Sequence, residues 1–327
     1  MTYICRAVNR MTSIKTIYKM SDLKTRVNEI LTTNGLDFTV EKLPLVAPRN
    51  RSVITDSGEI ADEVQLIDSP YFGLYNSKSG EIINTVKKGY TVSQNDEVVE
   101  LVLRGMDGFG ELSVQKAGSL HGGRRVFIQL AIDGLSVVGD DRVKRYVTII
   151  DSNDGTTGLS VGIGDLTMSC SNQFYYFNKE GQSKIRHSKS LDQKIKEIPN
   201  LISMALEQSN RMQDKYRNFT THSVSDNDAH GLVKTILGVS KLSSVGVLSD
   251  VSTKTTNAMD SLYDMIRIEM AQKGKNAWGL HSGVTRWTTH EKSAPRRDNG
   301  RIESSMGGSN YKTNHLSLNF MSELVGV

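Results

Sequence analysis

The apolar residues of this chain change their spacing about halfway along, and that change limits the folds open to it. In the first half, apolar and polar positions alternate. Val126, Ile128, Leu130 and Ile132 stand against Arg125, Phe127 and Gln129, and Val143, Val147 and Ile149 against Lys144, Tyr146 and Thr148. A period of two is the mark of strands. From Leu191 onward, Ile195, Ile198, Ile202, Ala205, Ser209, Met212 and Tyr216 recur every three or four residues, the period of one helix face. The expected class is α+β, with an antiparallel β-meander and packed helices in the N-terminal part and a mostly α-helical C-terminal part.

Turn and cap residues divide these patterns further. Ser21-Asp22 caps a helix through Leu23, Val27, Ile30 and Leu31, which Gly35 ends. Leu36, Phe38 and Val40 begin strands that run to about Tyr90, with Asn76–Gly80 as a turn. Ser93 and Asp96 resemble a capping box for a helix through Val98, Val99, Val102 and Leu103, closed by Gly105, Gly108 and Gly110. Turn chemistry at Asp133-Gly134, Gly139-Asp140 and Asn153-Asp154-Gly155 punctuates a strand block from Leu112 to Thr167. The long helix from Leu191 is expected to kink at Pro199. Helices over 226–239, 257–273 and 277–290 follow, with 240–256 as a linker. The expected divisions are an α+β core over 20–190, a helical region over 191–292 and a basic, flexible tail over 293–327.

Composition excludes more than it selects. The formal charge is +4, from 40 Lys+Arg against 36 Asp+Glu, too weak an excess to demand a nucleic-acid duplex as partner. No apolar run approaches the roughly 18 residues of a membrane span, so no membrane partner is expected. Met1 to Met20 lacks the apolar stretch of a secretory signal. Cys5 and Cys170 are too few for a disulfide framework, which suits a reducing interior such as a host cytoplasm.

Catalytic signatures are missing. The glycine-rich stretch before Arg124 lacks the Lys-Ser/Thr ending of a phosphate loop. Gly105 to Gly110 follows a helix, so it is no dinucleotide fingerprint. Seven scattered His and two Cys show no metal-ligand spacing. Asp140, Asp141, Asp151 and Asp154 fall at strand ends, where a metal-dependent nuclease would want carboxylates, but turn chemistry explains them first. Neither an enzyme nor a cofactor nor a metal is expected.

Cations beside aromatic groups recur instead. Arg124 and Arg125 follow the glycine turn, and Arg142, Lys144, Arg145 and Tyr146 enter a later strand. Tyr175 and Tyr176 sit in an aromatic run that leads to Lys184 and Arg186. Cations that neutralise phosphates and rings that stack bases together bind single strands, at about 1–3 kcal/mol per stacked base. If the strands form a meander, the two basic groups come side by side. The basic residues Arg286, Lys292, Arg296, Arg297 and Arg301 would form a phosphate-seeking arm or a solubilising end.

Four ordered stretches, Gly89–Val98, Ala117–Leu130, Asp151–Gln173 and Lys184–Ser188, and a fifth from Asn276 through Trp287 to Gly308, resemble a phage- and plasmid-associated family catalogued as a domain of unknown function. The resemblance implies a mobile-element setting. The order of elements around Ala117–Arg125 is also similar to the core of single-strand annealing proteins of the RecT and Red-beta type, an analogy of fold alone.

These readings converge on a single-stranded DNA-binding and annealing protein of a phage or plasmid, acting in replication or recombination. It would work as a homo-oligomeric ring or filament alongside phage or host replication proteins. The alternative is a non-enzymatic structural or regulatory phage protein that binds a host protein, for example a host-defence antagonist.

Overall fold

The computed structural model describes residues 20–54, 56–106, 109, 112–155, 158–167, 173–176, 184–239, 242–243, 246–247, 252–294, 296 and 300–327. Cys5, Cys170, Gly108, Gly110, Phe177 and Arg297 lie outside them.

Helix α1 (Met20–Thr33) leads into a three-stranded antiparallel sheet of β1 (Val40–Ile54), β2 (Ile60–Asn76) and β3 (Glu81–Lys87) in sequential order. Helix α2 (Asn95–Met106) precedes a second sheet, a meander of β4 (Leu112–Leu120), β5 (Arg125–Val138), β6 (Asp141–Ser152), β7 (Leu159–Thr167) and β8 (Gln173–Tyr176), with β9 (Lys184–Ile185) also paired to β7. Helical segments follow: α3 (Leu191–Lys194), α4 (Ile198–Thr221), α5 (Asp226–Leu237), α6 (Thr253–Lys273), α7 (Ala277–Arg286), α8 (Gly300–Gly307) and α9 (Ser309–Val325). The chain is α+β, with antiparallel sheets and packed helices in the first half and helices throughout the second.

Both faces of the second sheet are covered. Val126, Ile128, Leu130, Val147, Ile149, Val161 and Ile163 face α2 and α4 in one apolar cluster. On the opposite face Leu120, Phe127, Ile150 and Tyr175 pack with Met306 of α8. At about 25 cal/mol per Å2 of apolar area removed from water, this double burial drives the fold. Gly164 makes room for it, because a Cβ there would stand 3.0 Å from the Tyr175 ring.

Several local expectations gave way to packing. The strand through Leu36 and Phe38 begins only at Val40, although both side chains are buried. Helix α2 starts at Asn95 because the Ser93 hydroxyl donates to Asp151 instead of capping the helix. Asp133-Gly134 makes no turn: β5 runs through it with a register shift between Ala131 and Leu135. Pro199 does not kink a long helix. A 3-10 turn over Ile195–Glu197 separates α3 from α4, and Pro199 sits in the first turn of α4, where its missing N–H costs nothing.

In the segment expected as a flexible basic tail, the residues from Gly300 to Val325 form helices that pack on the rest of the fold. Leu318 and Met321 of α9 join the same apolar cluster as Leu23 of α1. Its cations staple helices together. Arg301 donates to the carbonyls of Thr288, Thr289 and Lys292, and Lys292 donates to the Ser309 carbonyl and Thr313 hydroxyl. Cations at helix C-terminal carbonyls satisfy groups that would otherwise lack partners.

Candidate functional site

The four motif stretches, far apart in sequence, meet at one end of the second sheet. The β4–β5 hairpin turns through His121, Gly122 and Gly123, all with positive φ. At Gly123 (φ +88°) a Cβ would lie 2.5 Å from the Asn76 side-chain nitrogen, so glycine is required there both by conformation and by space. The turn delivers Arg124 and Arg125 opposite the end of β6. There the Asn153 N–H donates to the Arg124 carbonyl at 2.8 Å, and Arg125 pairs with Ser152 in the ladder.

Below the turn lies a dense polar cluster. His187 places Nε2 2.9 Å from Asp151 Oδ1 and Nδ1 3.1 Å from the Thr91 carbonyl. Both partners are acceptors, an arrangement that favours the imidazole with a proton on each ring nitrogen. Burial opposes that charge, but the Asp151 carboxylate and the Thr91 carbonyl outweigh it and raise the pKa of His187. The Tyr90 ring stacks on His187 with centroids 4.9 Å apart, and its hydroxyl reaches the Asn153 side chain at 3.2 Å. Burial, then the charges of Asp151 and Asp154, push the Tyr90 phenol up. Ser93 and His187 thus share one carboxylate, an arrangement that locks the sheet end.

Two more ties close the site. Arg125 Nε donates to Asp154 Oδ2 at 2.6 Å, with both side chains mostly buried. Glu303 of α8, only 4% exposed, accepts the His121 backbone N–H at 2.9 Å. Toward solvent, Arg124, Arg186 and Lys189 are exposed, and the pairing of Ile185 with Leu159 just past the β6–β7 turn brings Arg186 to the same sheet end as Arg124.

The meander does not bring the two basic groups side by side. Lys144 pairs with Leu135 whereas Ser152 pairs with Arg125, which separates them by roughly 27 Å along β6 at about 3.4 Å per residue. Arg142 is exposed at that far end. Lys144 lies 5.7 Å from the Tyr146 ring centroid and donates to Gln115, and Arg145 donates to Asn210 of α4 at 2.7 Å. Tyr146 and Tyr175 are 9% and 6% exposed, so neither ring is open to stack a base. Burial accounts first for both phenols being pushed up to about 12. The side chains of Tyr176 and Lys184 lie outside the described residues.

Sequence reasoning singled out neither Glu303 nor Tyr90, although both fall within the stretches that carry the family resemblance. Asp151 was legible as a turn residue, and His187 as part of a charge run. Their pairing across the fold was not.

A family model described as "Domain of unknown function (DUF932)" matches residues 82–309, more than two thirds of the chain. The chain belongs to this family. No curated protein and no solved structure matches it. The DUF932 region takes in all four motif stretches, the cluster around Asp151 and His187, and Glu303. It begins within β3, so β1 and β2 precede it.

Proposed function

We propose that this DUF932 protein binds single-stranded DNA through the basic end of its second sheet and anneals or coats strands for a phage or plasmid. In this reading it acts in replication or recombination in the host cytoplasm, without an enzymatic step or cofactor, as a homo-oligomer alongside phage or host replication proteins. One observation carries the reading. The buried ties of Arg125, His187, Asp151 and Glu303 hold together the β4–β5 hairpin, which exposes Arg124, and the segment after β9, which exposes Arg186 and Lys189. Cations spaced on a rigid frame suit a phosphate backbone, since each neutralised phosphate releases counterions. With Tyr146 and Tyr175 inside the fold, the grip rests on charge rather than stacking. Among the described residues, no helix is long and apolar enough to cross a membrane.

Fluorescence anisotropy with single- and double-stranded oligonucleotides over a salt series tests this. Arg124→Glu with Arg186→Glu should weaken single-strand binding at least tenfold and flatten the salt slope by about 0.7 for each phosphate that is no longer neutralised. Unchanged affinity in that variant would sink the assignment. Arg125 is the wrong residue to change, because it forms an ion pair with the mostly buried Asp154 and its loss confuses binding with folding.

A further inference from the structure

The exposed cations of the candidate site stand on two pieces of chain that are held very differently. Arg124 follows a hairpin turn whose strands pair along β4, β5 and β6. Arg186 and Lys189 lie on the segment after β9, a strand of two residues that pairs with β7 through Leu159 and Ser160. Backbone bonds in that segment are local: the Ser188 N–H donates to the Arg186 carbonyl and the Leu191 N–H to the Ser188 carbonyl, each at 2.8 Å. Among the described residues, His187 is the one side chain of 185–190 that hydrogen-bonds to the rest of the fold.

Geometry makes that tie depend on a proton. The imidazole is 3% exposed. It serves the Asp151 carboxylate and the Thr91 carbonyl together only while both nitrogens carry hydrogen. Loss of either proton to solvent turns a lone pair toward an acceptor oxygen, with no water able to stand between them. The surrounding groups supply no replacement. The stacked Tyr90 sends its hydroxyl to the Ser152 carbonyl and the Asn153 side chain, and the Ser93 hydroxyl already donates to Asp151. Asp154 is paired with Arg125. The acids at the adjoining helix starts, Asp96 and Glu97 of α2 and Asp192 of α3, are exposed to water, as are Arg186 and Lys189. Burial pulls the imidazole pKa down, but the Asp151 carboxylate and the Thr91 carbonyl carry it above the ordinary 6.5.

We propose that protonated His187 latches the segment bearing Arg186 and Lys189 to the sheet end, and that release of the proton frees the segment and weakens the grip on single-stranded DNA. Cations on an ordered frame lose less freedom on binding than cations on a loose one, and the departing proton also takes a positive charge from the same end. The effect on DNA rests on the proposed function; the latch does not.

Trypsin, which cuts after Arg and Lys, reads the latch on the full chain. Cleavage after Arg186 and Lys189 is followed by mass spectrometry from about pH 6 to about pH 9, either side of the imidazole range. Dividing by the rate for a free peptide of residues 184–191 removes the protease's own pH dependence. The ratio should rise several-fold with pH in wild type, in step with the His187 imidazole titration seen by NMR. In His187→Gln it should stay high and flat. Anisotropy with a single-stranded thymidine oligonucleotide should show affinity falling several-fold more over that range in wild type than in His187→Gln. A flat ratio in wild type, a rise displaced from the imidazole titration, or an equal rise in His187→Gln overturns the latch. The first two outcomes are read on wild type and hold even if the variant fails to fold. A rise in cleavage with no difference in the pH dependence of affinity overturns the control of binding. A rise with no oligonucleotide bound at any pH supports the latch and overturns the nucleic-acid reading instead.

Discussion

In the six-stranded sheet, β6 is buried on both faces over most of its length. In the three-stranded sheet, the ribbon of β1 and β2 has almost no cover. Alternation decides which residues share a face. It does not decide whether anything lies against that face. The second sheet is covered because α4 crosses one side and α8 reaches the other. Among the described residues nothing lies against the ribbon, so most of its side chains stay exposed.

The contrast also appears in the charges. On the ribbon, Arg51 and Glu63 pair in full view of solvent, where such pairs contribute little. Behind the second sheet, Asp141 of β6 accepts from the Trp278 indole at 2.7 Å and from Lys273 at 2.8 Å. Lys273 also meets Glu269 at 2.9 Å, and Glu269 meets Arg286 at 2.9 Å. Charges held this far out of water stay together only as a set.

The largest effect should come from breaking that set. Lys273→Met leaves Asp141 and Glu269 buried with one cation between them, and should cost about 3–5 kcal/mol in urea unfolding. A cost within error of zero would mean that water reaches the network. Next, Leu130→Ala in the covered sheet should lose about 2–5 kcal/mol, measured by the same melts.

A pH series sharpens the view of the covered sheet. Burial raises the Asp165 carboxyl from 3.8 to about 7, against the opposing pull of the Tyr216 hydroxyl and Arg145. The folded state therefore holds a proton that the unfolded chain has released, so stability should fall as pH rises between those two values. Asp165→Asn should remove this slope. Parallel curves for wild type and variant would show that the carboxyl titrates normally. His187 adds a fall of the same sign at higher pH: its raised pKa stabilises the fold below the unfolded value and ceases to do so as pH climbs through the folded one. The smallest effect belongs to the ribbon. Leu66→Ala should change monomer stability by no more than about 0.5 kcal/mol, and a loss as large as that of Leu130→Ala would erase the distinction between the sheets.

Much of the architecture was legible because local chemistry and packing agree. The meander, the turns at Asn76–Gly80 and Gly139-Asp140, and helices α4 to α7 follow from spacing and turn residues. Where they disagree, packing won. Ser93 looks like a cap but serves Asp151, and Asp133-Gly134 looks like a turn but is absorbed as an irregularity within β5. The arginines of the expected arm look solvated, yet Arg301 closes a helix end.

The sequence by itself determined the class, because its strand-period and helix-period stretches together require an α+β fold, and it marked the glycine hairpin that presents Arg124. Only the tertiary structure decided which cations remain available and which rings are open. Availability depends on partners distant in the chain, such as Asp154 for Arg125 and Gln129 for Tyr175. Desolvation and pairing are properties of neighbourhood, and neighbourhood at such separations is set by how helices close over sheets.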